Sequence, residues 1–228
     1  MKNALVIAAH PDDEVLGCGG TIARMADEGW SVSVLILAEG ATSRDRSRNR
    51  PDRADEVSAL AECAARAARI LGARDVELAE FPDNRMDGVE RLDIVKRVEH
   101  AIQRVGPSRV LTHRFGDVNV DHDVVHQAVA AACRPTPDSR VAEVLYFEVP
   151  SSTEWRFGGA LRPFAPDFFV DIDATLARKL QALEAYASEM RPFPHPRSIA
   201  AVEHLARWRG AMVGRAAAEA FELGRRIE

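Results

Sequence analysis

Four ionisable side chains stand close together near the start of the chain, at His10, Asp12, Asp13 and Glu14. They follow a short apolar run that is typical of a buried strand, and Pro11 stiffens the turn between them. Ending a buried strand on several charges costs free energy unless those charges are paired. An imidazole and a carboxylate are both zinc ligands, so His10 and Asp13 are candidate metal ligands. Asp12 would then stand beside a water on the metal, where it could act as the general base.

A second polar cluster lies at Asn119, Asp121 and His122, where another helical pattern begins. His122 completes a His-Asp-His set, and three protein ligands with one position left for water are typical of a catalytic zinc. Asp121 either caps the helix or orients a ligand. His126 lies four residues later on the same helical face, as an alternative ligand or a packed histidine. Asp123 follows His122 where a His-Glu-x-x-His protease has glutamate, so that class is excluded.

Further polar residues follow the third and fourth predicted strands. His113 is a candidate to stabilise a developing oxyanion or to protonate a leaving amine, and Arg114 is a candidate substrate contact. Asp83 and Asn84 could hydrogen-bond substrate hydroxyls, or could form an Asx-type turn. A structural interpretation also exists for the first cluster, because acids before a helix suit its N-terminus.

The predicted strands are short apolar, β-branched runs, and the predicted helices are longer and amphipathic. The strands cover residues 3–9, 31–38, 75–81, 109–112, 144–149 and 168–172. The helices cover residues 15–28, 53–71, 89–105 and 122–133, and the chain from Ala174 onward is predicted to be mainly helical, with an interruption at residues 192–196.

This alternation of strand and helix predicts a Rossmann-like three-layer α/β fold with a mainly parallel central sheet, in a single domain over residues 1–228. Ligand sites in such sheets lie at the carboxyl ends of the strands. The polar clusters fall at those ends, which favours a functional interpretation of them.

The composition restricts the class of protein. Of 228 residues, 46% are hydrophobic and 29% are charged, with a formal net charge of -5, which is typical of a soluble globular protein and argues against a nucleic-acid binder. No apolar run is long enough for a membrane span or a secretory signal. Three scattered cysteines indicate free thiols in a reducing compartment, so a cytoplasmic location is predicted.

Together the two clusters resemble the PIG-L/LmbE-like family of zinc-dependent N-deacetylases, over nearly the whole chain. The residues that carry the resemblance are His10-Pro11-Asp12-Asp13-Glu14, Leu16-Gly17-Cys18-Gly19-Gly20-Thr21, Asp83-Asn84, Asp121-His122 and Ala218-Glu219-Ala220-Phe221. The resemblance implies that His10, Asp13 and His122 bind zinc, although another divalent metal would also suit these ligands, and that Asp12 is the general base. It further implies removal of the acetyl group from an N-acetylglucosamine-type glycoconjugate or nucleotide sugar.

The sequence departs from the family pattern at one position. Asn119 stands where many members have a histidine three residues before the last zinc ligand. An amide can donate a hydrogen bond to a substrate but cannot give up a proton, so His113 or His126 becomes the candidate acid. Residues 148–155 and 194–198 are similar to stretches of a bacterial subgroup tied to surface-polysaccharide synthesis. There, Trp155 could stack on a sugar or simply pack, and His195 could line the pocket or brace a loop.

The predicted partner is a small-molecule N-acetylated sugar. Arg44, with Arg46, Arg48 and Arg50 on the same loop, could hold the diphosphate of a nucleotide-linked sugar, or the loop could be merely solvated. Three alternatives stay open: hydrolysis of another amide, a non-catalytic metal-binding or sugar-binding protein, and a nucleotide-binding protein without metal. The last is disfavoured because the glycines after the acidic cluster lack the Gly-x-Gly-x-x-Gly spacing. The sequence does not decide whether the chain forms a homo-oligomer.

Overall fold

The computed structural model describes residues 2–43, 45–158 and 162–228. Over these residues the strands are β1 (Asn3–Ala8), β2 (Ser31–Ala38), β3 (Asp75–Phe81), β4 (Arg109–His113), β5 (Glu143–Phe147), β6 (Phe168–Asp171) and β7 (Ala218–Arg226). The α-helices are α1 (Asp13–Asp27), α2 (Ala54–Leu71), α3 (Arg91–Val105), α4 (Val120–Ala132), α5 (Leu176–Glu184) and α6 (Ile199–Ala211). None of the helices described is long and apolar enough to cross a membrane.

All seven strands form one sheet in the order β3-β2-β1-β4-β5-β7-β6. The pairings among β1 to β5 are parallel, and β7 pairs antiparallel with both β5 and β6. The chain moves outward from β1 to β3 and then returns to the other side of β1 to form β4. The carboxyl ends of β1 and β4 therefore flank the point where the strand order reverses, which is where open α/β sheets bind their ligands. The predicted Rossmann-like fold class is confirmed.

Helices cover both faces of the sheet. One apolar cluster joins α1, α2 and α5 to the face of β1 that presents Ala4, Val6 and Ala8. A second cluster joins α3 and α4 to the opposite face, which presents Leu5 and Ile7. Burial on both faces explains why β1 has a continuous apolar sequence rather than an alternating one. The apolar layers also leave the turn after β1 as the place where polar side chains can gather.

The prediction of a mainly helical C-terminal part is wrong for residues Ala218–Arg226, which form β7. Alanine, glutamate, leucine and arginine favour helices when a segment stands alone. Here the segment pairs on both sides, with β5 and with β6, and its first four residues are buried. Sheet pairing and burial outweigh local helix propensity, because most of the stability of an element comes from its tertiary contacts.

Helix α1 packs closely on Phe147 of β5 and on Ile172, which follows β6, and glycine makes both contacts possible. A Cβ atom added at Gly17 would stand 2.3 Å from Cδ2 of Phe147 on β5, and one at Gly20 would stand 2.7 Å from Cδ1 of Ile172. Phe147 and Ile172 are both buried. The glycines that follow the acidic cluster thus serve helix-to-sheet packing, which removes the remaining reason to consider a phosphate-binding loop.

Gly17→Ala is expected to lower the free energy of unfolding by about 1–3 kcal/mol, because the added methyl group overpacks the contact with Phe147. The measurement is urea denaturation followed by circular dichroism. Gly88→Ala is the matched control: a Cβ there meets no atom within 4 Å, so its stability should change by less than about 0.5 kcal/mol. Equal stability of the Gly17 variant and the wild type would contradict the packing argument.

Candidate metal centre and active-site pocket

The turn after β1 holds the first polar cluster in a strained backbone conformation. Asp12 has a φ of 107°, in the left-handed region that costs a side-chain-bearing residue about 1–3 kcal/mol. Its backbone N–H donates to Oε2 of Glu14 at 3.1 Å, and Oε1 of Glu14 accepts from the Tyr186 hydroxyl at 2.6 Å. Burial raises the pKa of Glu14 to about 7, although the Tyr186 hydrogen bond opposes it. Glu14, to which the sequence analysis gave no role of its own, therefore helps to hold Asp12 in its strained conformation.

Three side chains converge at the ends of β1 and β4. Asp13 Oδ2 lies 3.2 Å from His10 Nδ1 and 3.2 Å from His122 Nε2. His10, Asp13 and His122 each offer one atom to a group whose members lie within 4.8 Å of one another, and all three residues are buried. Helix α4 carries His122 to the turn, more than 100 residues along the chain from His10. The predicted ligand set is thus brought together in space.

The donor atoms of this group fit a divalent cation. Asp13 Oδ1 is buried and has no hydrogen-bond partner among the residues described, and His122 Nε2 has only its 3.2 Å contact with Asp13 Oδ2. Buried polar atoms in folded proteins nearly always have a partner, so an unpaired carboxylate oxygen beside an imidazole nitrogen fits a bound cation. Two imidazoles and a carboxylate suit zinc, and they also suit several other divalent metals.

A carboxylate stands behind each histidine. His10 Nε2 lies 3.0 Å from Asp121 Oδ2, which leaves Nδ1 facing Asp13. Asp121 is held in turn by the backbone N–H groups of Asn84, at 2.6 Å, and Met86, at 2.9 Å. A carboxylate on the far nitrogen fixes the tautomer and orientation of a metal-binding histidine. Of the two roles considered for Asp121, the geometry favours orienting His10.

Asp117 has the same relation to His122, and the sequence analysis missed it. Its Oδ2 lies 3.1 Å from His122 Nδ1. Asp117 accepts hydrogen bonds from the hydroxyls of Ser152 and Thr153, the second at 2.9 Å, and from the backbone N–H of Asn119 at 3.0 Å. Burial alone would raise the pKa of Asp117, but His122 and the Ser152 hydroxyl hold that pKa well below its usual value. No sequence motif marks Asp117, because its donors lie on a distant loop.

His10, Asp83 and Asp121 form a second group with metal-binding geometry. Its carboxylates are already occupied: Asp83 accepts from the backbone N–H of Ser43 at 3.1 Å and from Asn84 Nδ2 at 2.9 Å, and Asp121 accepts two backbone N–H groups. A cation there would have to replace these hydrogen bonds. The group containing Asp13 and His122 is therefore the better candidate.

Charge and burial act against each other at the centre. Burial lowers the pKa of His122, but the charges of Asp13 and Asp117 outweigh it and raise the pKa to about 9. Burial raises the pKa of Asp12 well above its usual value, and the nearby Arg197 guanidinium opposes the rise. One oxygen of Asp12, Oδ2, accepts from Arg197 Nη1 at 3.3 Å, whereas Oδ1 is buried without a partner. Asp12, which directly precedes the candidate ligand Asp13 in the chain, thus has one carboxylate oxygen without a partner.

An open pocket of about 450 Å³ lies against this centre. That volume is within the usual range for small-molecule sites. The predicted site residues that line it are His10, Asp12, Asp83, Asn84 and Asn119. Charged residues that the sequence analysis did not select also line it, namely Arg53, Glu56, Glu189 and Arg197.

Comparison with known proteins places the chain in a family. The sequence model of PIG-L, described as GlcNAc-PI de-N-acetylase, matches residues 5–133, which include all three candidate metal ligands. The chain belongs to the PIG-L family. The resemblance found in the sequence is confirmed.

Relatives of this PIG-L chain include deacetylases and a hydratase. The uncharacterized deacetylase YaiS of Escherichia coli (strain K12) is 30% identical over 193 residues, covering 82% of this chain and 91% of the relative. A probable N-acetyl-alpha-D-glucosaminyl L-malate deacetylase 2 of Bacillus cereus is 25% identical over 190 residues, covering 82% and 84%. The 4-oxalmesaconate hydratase of Pseudomonas putida is 32% identical over 203 residues, covering 82% and 74%.

A solved structure agrees with the fold over the whole chain. GalB, the 4-carboxy-2-hydroxymuconate hydratase from Pseudomonas putida KT2440, superposes with a TM-score of 0.80 at 26% identity, covering 100% of this chain and 98% of that one. This chain is therefore similar both to proteins named as deacetylases and to proteins named as hydratases.

His113 is placed differently from the sequence-based hypothesis of an acid or oxyanion donor. It is 1% exposed, does not line the pocket, and its Nε2 accepts from the backbone N–H of Ala9 at 2.8 Å. Its ring stacks on His122 with centroids 4.0 Å apart. Burial, followed by the charge of His122, lowers its pKa well below the usual value. A neutral, buried histidine whose Nε2 is an acceptor is a poor proton donor, so the geometry speaks against His113 in this role.

Arg114 is also held away from the pocket. It is 5% exposed, and its guanidinium donates to the backbone carbonyls of Gly116 at 3.1 Å and Arg162 at 3.0 Å. Arg114 thus makes two hydrogen bonds within the fold while its Nε is buried without a partner, and its contact with substrate stays a prediction. His126, the alternative ligand and acid, faces the backbone carbonyl of His113 through Nδ1 at 2.9 Å and does not line the pocket.

The arginine loop offers fewer free cations than predicted. Arg48 binds Glu39 through two hydrogen bonds, each 2.9 Å long, and Arg50 lies 2.9 Å from Glu80. Arg44 lies outside the described residues, and its contact with substrate stays a prediction. Arg46 is exposed. Arg48 and Arg50 thus stabilise the loop, and no pair among the described arginines of residues 44–50 is free to grip a diphosphate.

Asn119 is at the pocket wall, but its amide is engaged. Its Oδ1 accepts from the backbone N–H of Asp121 at 2.9 Å, which caps α4, and its Nδ2 donates to Asn84 Oδ1 at 2.9 Å. Asn84 has a left-handed φ of 53°, as expected for the turn considered in the sequence analysis. Trp155 does not line the pocket and is 39% exposed, with its ring edge-on to His195 at 5.4 Å between centroids. His195 accepts from the Arg197 backbone, which supports the bracing interpretation.

Proposed function

We propose that this PIG-L chain is a metal-dependent hydrolase that removes the acetyl group from an N-acetylated amino sugar. The observation that carries the proposal is the grouping of donor atoms of His10, Asp13 and His122 within 4.8 Å of one another, with Asp12, whose Oδ1 is buried without a partner, directly before Asp13 in the chain. The family description and the names of two relatives support deacetylation as the reaction and an N-acetylglucosamine unit as the substrate class.

His10, Asp13 and His122 would hold the metal, with zinc proposed and another divalent ion as an alternative. Zinc bound by three protein ligands lowers the pKa of water from about 16 to about 7 and polarises a carbonyl group. Asp117 and Asp121 keep the two imidazoles oriented toward it.

Asp12 would carry the proton transfers. Its Oδ1 accepts a proton as the water oxygen bonds to the acetyl carbon, and it returns that proton to the nitrogen as the C–N bond breaks. Acetic acid and the amine are the products, and near neutral pH they are present as acetate and the protonated amine. Burial raises the pKa of Asp12, which favours a carboxyl that takes up a proton and later gives it back. Because Asp12 would carry both proton transfers, the mechanism needs no second acid. This agrees with Asn119, which has no proton to give, and with His113, which is buried as an acceptor.

The pocket wall beside the candidate ligands suits a polyhydroxylated substrate. Asp83 and Asn84 hydrogen-bond each other there at 2.9 Å and keep further oxygen lone pairs, and Arg53, which pairs with Asp45 and Glu56, also lines the wall. Mixed donors and acceptors match sugar hydroxyls better than they match an apolar amide. We therefore propose Asp83 and Asn84 as sugar contacts, and retain hydrolysis of another amide, or binding without catalysis, as alternatives that the assay below separates.

Hydration of an unsaturated carboxylic acid is a second candidate. It is favoured by the 32% identity to the 4-oxalmesaconate hydratase and by the similarity to the GalB structure. The same metal ligands and the same carboxylate base could activate water for addition to a double bond. Acetate release and consumption of 4-oxalmesaconate distinguish the two reactions directly.

Removal of the metal is expected to abolish turnover, because the attacking water would keep its ordinary pKa. Acetate release is measured with zinc-reconstituted and chelator-treated protein against free, lipid-linked and nucleotide-linked N-acetylglucosamine, and hydration of 4-oxalmesaconate is followed in parallel. Restoration of activity by added zinc is the control for irreversible damage. Acetate release that persists in the chelated protein would contradict a metal mechanism, and hydration without acetate release would favour the second candidate.

Two wider predictions also remain proposals: a cytoplasmic location and a single catalytic domain over residues 1–228. The cysteines support the first, since Cys18, Cys63 and Cys133 are all free thiols. The continuous sheet over the described ranges supports the second.

A further inference from the structure

Arg197 links the candidate base to a loop that the proposed function does not otherwise use. It precedes α6, lines the pocket, and its side chain is 23% exposed. Its Nη1 donates to Asp12 Oδ2 at 3.3 Å, and its Nε donates to the Ser151 hydroxyl at 2.8 Å. The guanidinium is thus fixed between two partners from distant parts of the chain.

The contact between Arg197 and Asp12 differs from the two-pronged arginine-carboxylate pairs of the described residues, although exposed pairs such as Arg24–Glu28 also engage a single oxygen. Arg209 binds both oxygens of Glu148, at 2.7 Å each, and Arg48 binds Glu39 through two hydrogen bonds. Two-pronged pairs of this kind are the strong structural ones. Arg197 engages a single oxygen of Asp12 and leaves Oδ1 unpartnered, which is what a group that orients a reactive carboxylate would do.

Ser151 is held in a costly conformation that presents its hydroxyl to Arg197. Its φ is 69°, in the left-handed region, and its backbone N–H donates to Glu154 Oε1 at 2.6 Å. Strain of about 1–3 kcal/mol at a residue that bears a side chain persists only where the surrounding structure enforces it. The next two residues, Ser152 and Thr153, donate to Asp117, which faces His122. The turn at residues 151–153 therefore contacts both Arg197, which binds the candidate base Asp12, and Asp117, which faces the candidate ligand His122.

We propose that Arg197, held by Ser151, is a positioning residue for Asp12: it binds Oδ2 so that Oδ1 faces the reacting water. This inference rests on the proposed function, in which Asp12 transfers the proton. The role acts through Asp12 and does not require Arg197 to touch the substrate.

Kinetics of Arg197→Ala test the role. A misplaced catalytic group costs up to about 10²-fold in rate, so kcat for acetate release should fall by about 10–100-fold while KM changes by less than about 3-fold and zinc content stays at the wild-type value. Guanidinium added at millimolar concentration should restore part of kcat, and urea, a neutral molecule of similar shape, should not. The kcat of Arg197→Lys should lie between those of the wild type and Arg197→Ala, because an ammonium keeps the charge but cannot reproduce the guanidinium fork.

Arg209→Ala is the matched control, since it removes a structural arginine pair outside the pocket. It should lower the melting temperature and leave kcat unchanged. A rise in KM with unchanged kcat in Arg197→Ala would overturn the proposal in favour of substrate binding, and loss of zinc from both Arg197 variants would overturn it in favour of a structural role.

Crystal structures of the zinc-loaded wild type and Arg197→Lys give a measurement that does not depend on turnover. The Asp12 carboxylate should rotate in the variant while the three metal ligands keep their positions. If the wild type releases no acetate, the proposed function fails, but the structures still decide the positioning role. An Asp12 carboxylate that stays in place in the variant would overturn it.

Discussion

Asp12→Asn is expected to lower kcat for acetate release by about 10²–10⁴-fold, the usual cost of losing a positioned general base. An amide cannot accept a proton from the attacking water or return one to the leaving amine. The change keeps the size of the side chain, and asparagine tolerates the left-handed backbone at this position. The metal ligands are untouched, so zinc binding should persist. Initial rates with the zinc-reconstituted variant measure the effect.

Two checks separate a catalytic defect from a folding defect in Asp12→Asn. Zinc content by atomic absorption and the melting temperature should stay close to the wild-type values, apart from a small loss because Arg197 loses its charged partner. Asp55→Asn, at an exposed position on α2, is the control and should retain full activity. Turnover of Asp12→Asn at the wild-type rate would remove Asp12 from the mechanism.

Asp117→Asn is expected to weaken zinc binding by about 10–100-fold, the usual effect of removing the carboxylate behind a metal-binding histidine. Asp117 faces His122 Nδ1 at 3.1 Å, and a carboxylate there favours a proton on Nδ1, which leaves Nε2 free for the metal. An asparagine can turn its NH₂ group toward Nδ1 and so favour the opposite tautomer, with the proton on Nε2. Competition with a chromophoric zinc chelator measures the affinity.

The prediction for Asp117 is specific to that contact. Asp93→Asn, an exposed acid on α3, changes the net charge equally and should leave zinc affinity unchanged. At saturating zinc, Asp117→Asn should regain a substantial part of its activity, because Asp12 is intact. Unaltered zinc affinity in Asp117→Asn would mean that the Ser152 and Thr153 hydroxyls hold Asp117 for a structural reason only.

The first half of the fold follows closely from the sequence. The predicted strands at residues 31–38 and 75–81 coincide with β2 and β3, and the others up to β5 agree within about two residues at each end. These elements are long or strongly periodic, and their apolar patterns of period 2 or 3.6 are local properties of the chain. The sequence analysis did not predict β7 because its residues favour a helix locally. Only pairing with β5 and β6 makes this segment a strand.

The candidate site also contains some residues that the sequence identifies and others whose orientation only the structure shows. His10, Asp12 and Asp13 stand within one turn, and His122 begins a helix, so their residue types and spacing could be recognised without coordinates, and the structure brings His10, Asp13 and His122 into one group. His113 and Arg114 were selected by the same rule, that polar residues at strand ends are functional. The rule could not distinguish side chains that face the pocket from those that turn back into the fold.

The sequence by itself determined the family, the parallel α/β core and a set of metal-binding residue types at the ends of its strands. Only the tertiary structure decided which groups orient them. Ser152 stands 35 residues from Asp117, Tyr186 stands 172 from Glu14, and Arg197 stands 185 from Asp12. The physical reason is that periodicity and turn chemistry are encoded between near neighbours, whereas a hydrogen bond between distant segments exists only after the sheet and helices have packed.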